Sequence, residues 1–422
     1  MSERPEGWVE TTLGELGEYV NGRGFKQSEW SDTGRPIIRI QNLTGSSDKL
    51  NYFQGEVEQR HVVETGDLLV SWAATLGVFV WKGPEAVLNQ HIFKVRSFVD
   101  VKFHRYLLEN VLADLQRQTH GSGMVHITKG RFDQTPIELP PLHEQERIVA
   151  AIEEQFSRLD AAEESLHRAR RNVERFRAGA FSIAAAGVWP MVPLGEIADV
   201  VGGITKDTKR QSDPGLVEVP YLRVANVQRG YLDLTEISRI RVTPEKAKAL
   251  ALQPGDVLFN EGGDRDKLGR GWVWNGEIAG CIHQNHVFRA RLHEGFDPRF
   301  VSWHGNTFGR RWFEENGKQT TNLASLNLRT LKSFPVPAPS LPEQQEVVAE
   351  VERQLSIIDA VSAAIYSALA RSAQLRRSIL DRAFRGTLVP QDPLDEPASV
   401  LLDRIKGGRP GDQKRRRSAG RF

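Results

Sequence analysis

Four pairs of polar segments recur along the chain, the members of each pair lying roughly 180–200 residues apart. The first pair is Asn21-Gly22-Arg23-Gly24-Phe25-Lys26 and Gly202-Gly203-Ile204-Thr205-Lys206. The second is Ser71-Trp72-Ala73-Ala74-Thr75 and the longer run from Asn260 to Arg270, which holds Arg265 and Lys267. The third is Asn89-Gln90-His91 and Gln284-Asn285-His286. The fourth is His120 to Lys129, with Ser122, His126 and Thr128, and Lys318 to Asn327, with Thr320, Thr321 and Asn322. Arg and Lys suit guanine edges, Asn and Gln suit adenine, and Ser or Thr suit either, so these residue types fit base readout in a DNA groove. Glycines in the first pair would let backbone amides approach phosphates, although a plain turn accounts for them equally. Divergence within the second pair is expected of two domains that read different bases, and equally of a surface loop that drifted. The third pair is kept between copies, which favours a shared structural role.

Covalent chemistry finds little support. The sequence has no GxxxxGK[ST] phosphate loop, no Asn-Pro-Pro-Tyr or Asp-Pro-Pro-Tyr motif and no HExxH pair, and Cys281 is its only cysteine. Gly263-Asp264-Arg265-Asp266-Lys267 has acidic residues in the manner of a nuclease site, but no counterpart in the first copy, and reads as a charged loop. No enzyme and no bound cofactor or metal are expected.

The segments belong to a long internal repeat. Leu13-Gly14-Glu15-Leu16 returns as Leu194-Gly195-Glu196-Ile197, and Arg39-Ile40-Gln41-Asn42 as Arg223-Val224-Ala225-Asn226. Gly66-Asp67-Leu68-Leu69 returns as Gly255-Asp256-Val257-Leu258. The offset grows from 181 to 199, so the second copy carries insertions. Each copy begins with short β-like runs punctuated by Gly, Asp, Asn and Pro, with helical stretches between them. Residues 1–140 and 188–338 are therefore expected to be mixed α and β domains, giving an α+β protein.

Between and after them the pattern changes. Phe156, Leu159, Ala162, Leu166, Ala169, Val173, Phe176, Ala180 and Ile183 mark a coiled-coil seam, and Val351, Leu355, Ile358, Val361, Ile365, Ala368, Ser372, Leu375 and Ile379 repeat it. The seams predict long antiparallel spacer helices over 141–187 and 339–388, with Ser340 and Glu343 placed to cap the second. Residues 389–422, ending in Lys414-Arg415-Arg416-Arg417, read as a disordered basic tail. A net charge of +2 does not by itself announce nucleic acid. The N-terminus lacks the layout of a secretory signal and no run of eighteen apolar residues occurs, so a cytoplasmic location and no membrane contact are expected.

The Pro-rich lead-in to each helix, Leu139-Pro140-Pro141-Leu142-His143-Glu144-Gln145 and Pro337-Ala338-Pro339-Ser340-Leu341-Pro342-Glu343-Gln344, completes a pattern that resembles the specificity subunits of type I restriction-modification enzymes. The resemblance covers nearly all of residues 5–388. It implies two target-recognition domains, each reading one half of an asymmetric bipartite site, with the helices setting the gap. It also makes the fourth pair the preferred contact loops, a solvated connection being the alternative. The partners it implies are double-stranded DNA, two modification subunits and, in the full complex, restriction subunits; S-adenosylmethionine, ATP and Mg2+ would sit on those partners. Two other readings stay open on sequence: a coiled-coil protein scaffold without DNA specificity, and a specificity subunit serving a different enzyme partner.

Overall fold

The computed structural model describes residues 4–118, 127–184, 188–263, 267–319 and 324–408. They fall into two compact units, one made of residues up to 166 together with those from 367 onward, the other of residues 167–366. In the first unit an antiparallel sheet orders Gly17–Asn21, Ile92–Ser97, Leu68–Ser71 and Gly77–Val80, and a second sheet orders Asn51–Phe53, Arg35–Ile38, Ala86–Leu88 and Val62–Val63. The second unit repeats the scheme with Ala198–Gly202, Val287–Leu292, Val257–Asn260 and Gly271–Val273, beside a smaller sheet of Ser238–Val242, Val217–Leu222 and Ile282–His283. Blocks that repeat in sequence thus hold the same strand positions. One source of the growing offset is the helix Pro244–Leu250, which stands where the first copy has only the 3-10 turn Gln59–His61.

Leu68-Leu69-Val70-Ser71 shows no polar alternation because both of its faces are covered. Leu68 and Val70 meet Phe103, Leu107, Leu108 and Val111, while Leu69 meets Ile38, Leu88 and Ile92. The same sharing of one strand between two cores recurs in the second unit, with Val257 and Phe259 in one and Leu258 in the other.

Each copy is tied to its helix at the Pro-Glu-Gln lead-in. Val9–Thr12 pairs with Pro136–Leu139, and Met191–Pro193 with Pro335–Pro337. The Trp8 indole donates to Glu144 at 2.9 Å, and burial pushes that carboxyl above its usual range. Buried Gln145 donates to the Pro140 carbonyl, and buried Gln344 to those of Pro339 and Gly295. Glu343 reaches back to the backbone N–H and hydroxyl of Ser340, so the cap is made by the glutamate, with the serine donating.

The long helices run Leu142–Ala184 and Leu341–Phe384, 43 and 44 residues. At 1.5 Å per residue each spans about 65 Å. In the first unit Ile148 and Ile152 pack on Leu380 and Ala383, and Arg376 pairs with Asp160 and Glu163. In the second, Arg177 pairs with Asp359 and Arg170 lies over Tyr366. Both stretches are antiparallel. Adding the repeat offset of 199 turns Asp160 into Asp359 and Arg177 into Arg376, so one ion pair is made twice with the helices exchanged. The second helix is apolar enough over one window to span a membrane, but its buried positions Val351, Ile358, Ile365 and Ser372 keep the heptad spacing of a helix pair.

The seam departs from the sequence reading at its charged steps. Glu163 turns inward where Ala162 was expected, Ser362 and Arg376 replace Val361 and Leu375, and Phe176 is 62% exposed. An α-helix drifts by about 20° per heptad against a 3.5 repeat, and the Asp160–Arg376–Glu163 cluster fixes which neighbour faces in.

Residues 389–408 depart from the expected disordered tail. They end in a helix, Ala398–Gly408, whose Ala398 and Leu402 are buried in the first unit's core. Asp395 pairs with Arg147, Lys406 with Glu15, and the Ala398 N–H donates to the Gly7 carbonyl. Lys414 to Arg417 lie outside the described residues.

Two predictions follow from this packing. Replacing the fully buried Ile152 by alanine should cost about 2–5 kcal/mol by urea unfolding, whereas Phe176→Ala should change stability by no more than about 0.5 kcal/mol. Burial also holds His104, His283 and His304 down to about 4. Their folded pKa lies below the unfolded value of about 6.5, so the stability they confer is complete above that pH and is lost as pH falls towards 4. Urea midpoints should therefore decline from pH 7 to pH 5; a flat profile contradicts the assignment.

Candidate nucleic-acid interface

Strand register gathers the polar loops of each unit at one rim. In the first unit Asn21 pairs with Phe93, Ser71 with Ile92 and Ile38 with Leu88, so the segments after Asn21, Ile38, Ser71 and Leu88 all emerge at the same end. The Ile127 N–H donates to the Trp72 carbonyl, which brings the segment leading into Thr128 and Lys129 there too. In the second unit Gly202 pairs with Phe288, Asn260 with Val287 and Leu222 with His283. There the Leu326 N–H donates to the Glu261 carbonyl. The described parts of the four segment pairs thus reach equivalent rims.

Gly22 and Gly203 are required by the packing of strand ends. A Cβ at Gly22 would lie 2.1 Å from the Asn89 carbonyl oxygen, and one at Gly203 2.0 Å from that of His283. Close approach of two strand ends demands glycine at both places. Their neighbouring amides are already used, Gly22 donating to Ile92 and Arg23 to Leu88. They are not available to phosphates. The same approach explains Asn89 and Gln284, which bridge to Arg23 and Ile204.

Several expected contact residues turn out to build the rim. Arg23 pairs with Glu29 and sits 4.5 and 4.9 Å from the ring centres of Phe25 and Phe53. Ser71 is buried and donates to the Thr75 carbonyl, closing a turn in which Ala74 takes a positive φ of 59°. Trp72 is half-buried and stacks on Phe93 at 5.6 Å. Asn260 is fully buried and its amide donates to the Val224 and Val227 carbonyls. All four side chains engage protein neighbours, and Ser71 and Asn260 satisfy carbonyls that would otherwise be left without a donor.

The remainder lie nearer solvent. Lys26, Thr75, Thr205, Lys206 and Lys318 are exposed. Thr128 is exposed and caps Lys129–Asp133 by accepting from the Arg131 N–H, and Lys129 pairs with Asp133 at 2.6 Å. Lys267 is partly exposed, and Arg270 reaches the Val224 carbonyl at 3.4 Å. Ser122, His126, Arg265, Thr320, Thr321 and Asn322 lie outside the described residues. Gln90, His91 and His286, for which repetition suggests a structural role, are exposed on the rims; His286 pairs with Glu261 at 2.7 Å. Repetition marks what both rims share, whether strut or surface.

A rim of basic, amide and hydroxyl groups set on a repeated α+β scaffold can be compared with known proteins. A family model described as the type I restriction modification DNA specificity domain matches residues 5–172. The specificity subunit of the Escherichia coli type I restriction enzyme EcoBI is 24% identical over 99% of this chain and 95% of its own length, and that of EcoKI is 22% identical over 96% of each. Over nearly its whole length the chain is similar to type I restriction-modification specificity subunits. The MjaVIII specificity subunit of Methanocaldococcus jannaschii is 23% identical over 60% of this chain. The fold agrees as well. A chain solved in work on the assembly and conformational transition of a type I R-M system matches over 92% of this chain, with 20% identity and a TM-score of 0.69. The HsdS subunit of Thermoanaerobacter tengcongensis matches over 91%, also at 20% identity, with a TM-score of 0.53.

The buried position of Asn260 has a measurable consequence. Asn260→Ala should lower stability by about 1–3 kcal/mol, since it strands buried carbonyls, and should leave base preference unaltered. Urea unfolding and the methylated sequence of the host DNA check the two halves. A changed sequence with unchanged stability would return Asn260 to the readers.

Proposed function

We propose that this chain is the DNA-reading subunit of a type I restriction-modification enzyme, each rim reading one half of an asymmetric two-part site. The observation that carries the reading is the equivalent placement of four divergent or repeated polar segments at one rim per unit, on a chain similar to these subunits. Two rims on one scaffold but with different side chains suit two different half-sites. Readers of paired half-sites place them about 10 base pairs apart or at multiples of that turn. The two helices of about 65 Å are long enough to set such a gap, and their exposed apolar residues, Ile357, Val361, Tyr366 and Leu375 among them, suit docking of two modification subunits.

In this proposal the chain holds no catalytic centre. Adenine methylation and cleavage belong to the modification and restriction subunits, which carry S-adenosylmethionine, ATP and Mg2+, and the assembly works in the cytoplasm without a membrane. The role of this chain is to choose the DNA.

Exchanging residues 188–338 for the corresponding domain of a relative tests the division of labour. Sequencing methylated adenines after co-expression with a modification subunit should show one half of the motif replaced, with the other half and the gap retained. A motif altered in both halves, or not at all, contradicts the proposal.

A further inference from the structure

One arginine occupies the same place in both rims and lacks the partners that the other rim arginines have. Arg39 and Arg223 each follow the last residue of the strand that pairs with the third polar segment, Ile38 beside Leu88 and Leu222 beside His283. Asn89 and Gln284 donate their backbone N–H groups to the Ile38 and Leu222 carbonyls, which places both arginines next to the bridged strand ends.

Their backbone is braced in the same way. The Arg39 N–H donates to the Asn42 side chain at 3.1 Å, and the Arg223 N–H to that of Asn226 at 2.8 Å. The Asn42 amide in turn holds the Ser47 and Lys49 carbonyls, and the Asn226 amide those of Asp233 and Glu236. This accounts for the asparagine in the repeated Arg-x-x-Asn block. It leaves the arginine side chain unexplained.

Both residues are partly exposed, and the Nε of each is buried without an acceptor. Neither makes an ion pair among the described residues; Arg39 only lies 5.3 Å from the ring centre of Trp30. Other arginines with a buried, unsatisfied Nε place their remaining nitrogens on protein acceptors: Arg23 on Glu29, Arg270 on the Val224 carbonyl and Arg289 on the Ala249 carbonyl. A half-buried guanidinium with no acceptor is costly to keep. A bound anion would supply what is missing.

We infer that Arg39 and Arg223 are a matched pair of phosphate contacts, one in each rim, which seat the DNA backbone on the two units in the same way. A planar guanidinium fork suits a phosphate. Identity in both copies is what a backbone contact requires, since every sequence offers the same phosphate, whereas a base reader should differ between two half-sites. The inference rests on the DNA-reading function proposed above and adds which residues set the register before any base is read.

The test measures DNA affinity of the complex with modification subunits against salt, on target and unrelated duplexes, for Arg39→Gln, Arg223→Gln and the two lysine variants. Each glutamine variant should weaken binding to both duplexes by a similar factor and reduce the slope of log affinity against log salt by about 0.9, with the methylated motif unchanged. Arg39→Lys and Arg223→Lys should keep the slope, and they carry the test if a glutamine variant unfolds. A shift in base preference would overturn the inference by making the arginine a reader, and unaltered affinity and slope would overturn it by making the arginine idle. Both results leave DNA reading intact. An unsubstituted complex that binds target and unrelated DNA alike removes the DNA-reading function itself.

Discussion

Two helices of more than forty residues must bury a heptad seam against each other while carrying charges at its edges, and the repeated Asp–Arg pair shows how this is met. Asp160 with Arg376 and Arg177 with Asp359 are one interaction written twice. A register slip by a single residue would turn Ile152 and Ile358 off the seam and part both ion pairs together. The pairs are partly exposed, so their net stabilisation is modest. Their effect is on alignment, and apolar burial at Ile148, Ile152, Val351 and Ile365 provides most of the stability.

From that alignment the recognition domains take their footing. Buried Gln145 and Gln344 tie the first turn of each helix to the proline carbonyls before it, and the short strand pairs at Val9–Thr12 and Met191–Pro193 attach each domain to the same turn. Above this footing, strand register alone decides which loops meet at the rim. Glycine at positions 22 and 203 allows the strand ends to close there, and Arg23, Ser71 and Asn260 are engaged by protein partners close by. Side chains are then free to diverge only where they answer to no neighbour, and that freedom is what lets one scaffold carry two different rims.

The repeat, the mixed domains and the long helices were legible because each rests on spacing: blocks in one order, and apolar residues at three- and four-residue steps. The roles of single polar residues were not. Asn260 and Ser71 look like readers by type, and their burial follows from strand positions that composition does not reveal. Phe176 and Leu375 fit the seam by spacing, and helix drift with a charged cluster turned them out. The helix Ala398–Gly408 was hidden by polar surroundings; its two buried residues gain meaning only when the first unit supplies the core they enter. Repetition pointed to structure for the third segment pair, yet the same signal in Arg-x-x-Asn covers both a brace and a guanidinium that has no ion pair among the described residues.

A two-part reading of DNA by one chain is the central claim. Its most direct test is to co-express the chain with a modification subunit in a host lacking adenine methylation and to sequence every modified adenine. An asymmetric motif of two short parts separated by a fixed unread gap is the predicted result. A contiguous motif, or methylation without sequence preference in a complex that methylates DNA, would contradict it.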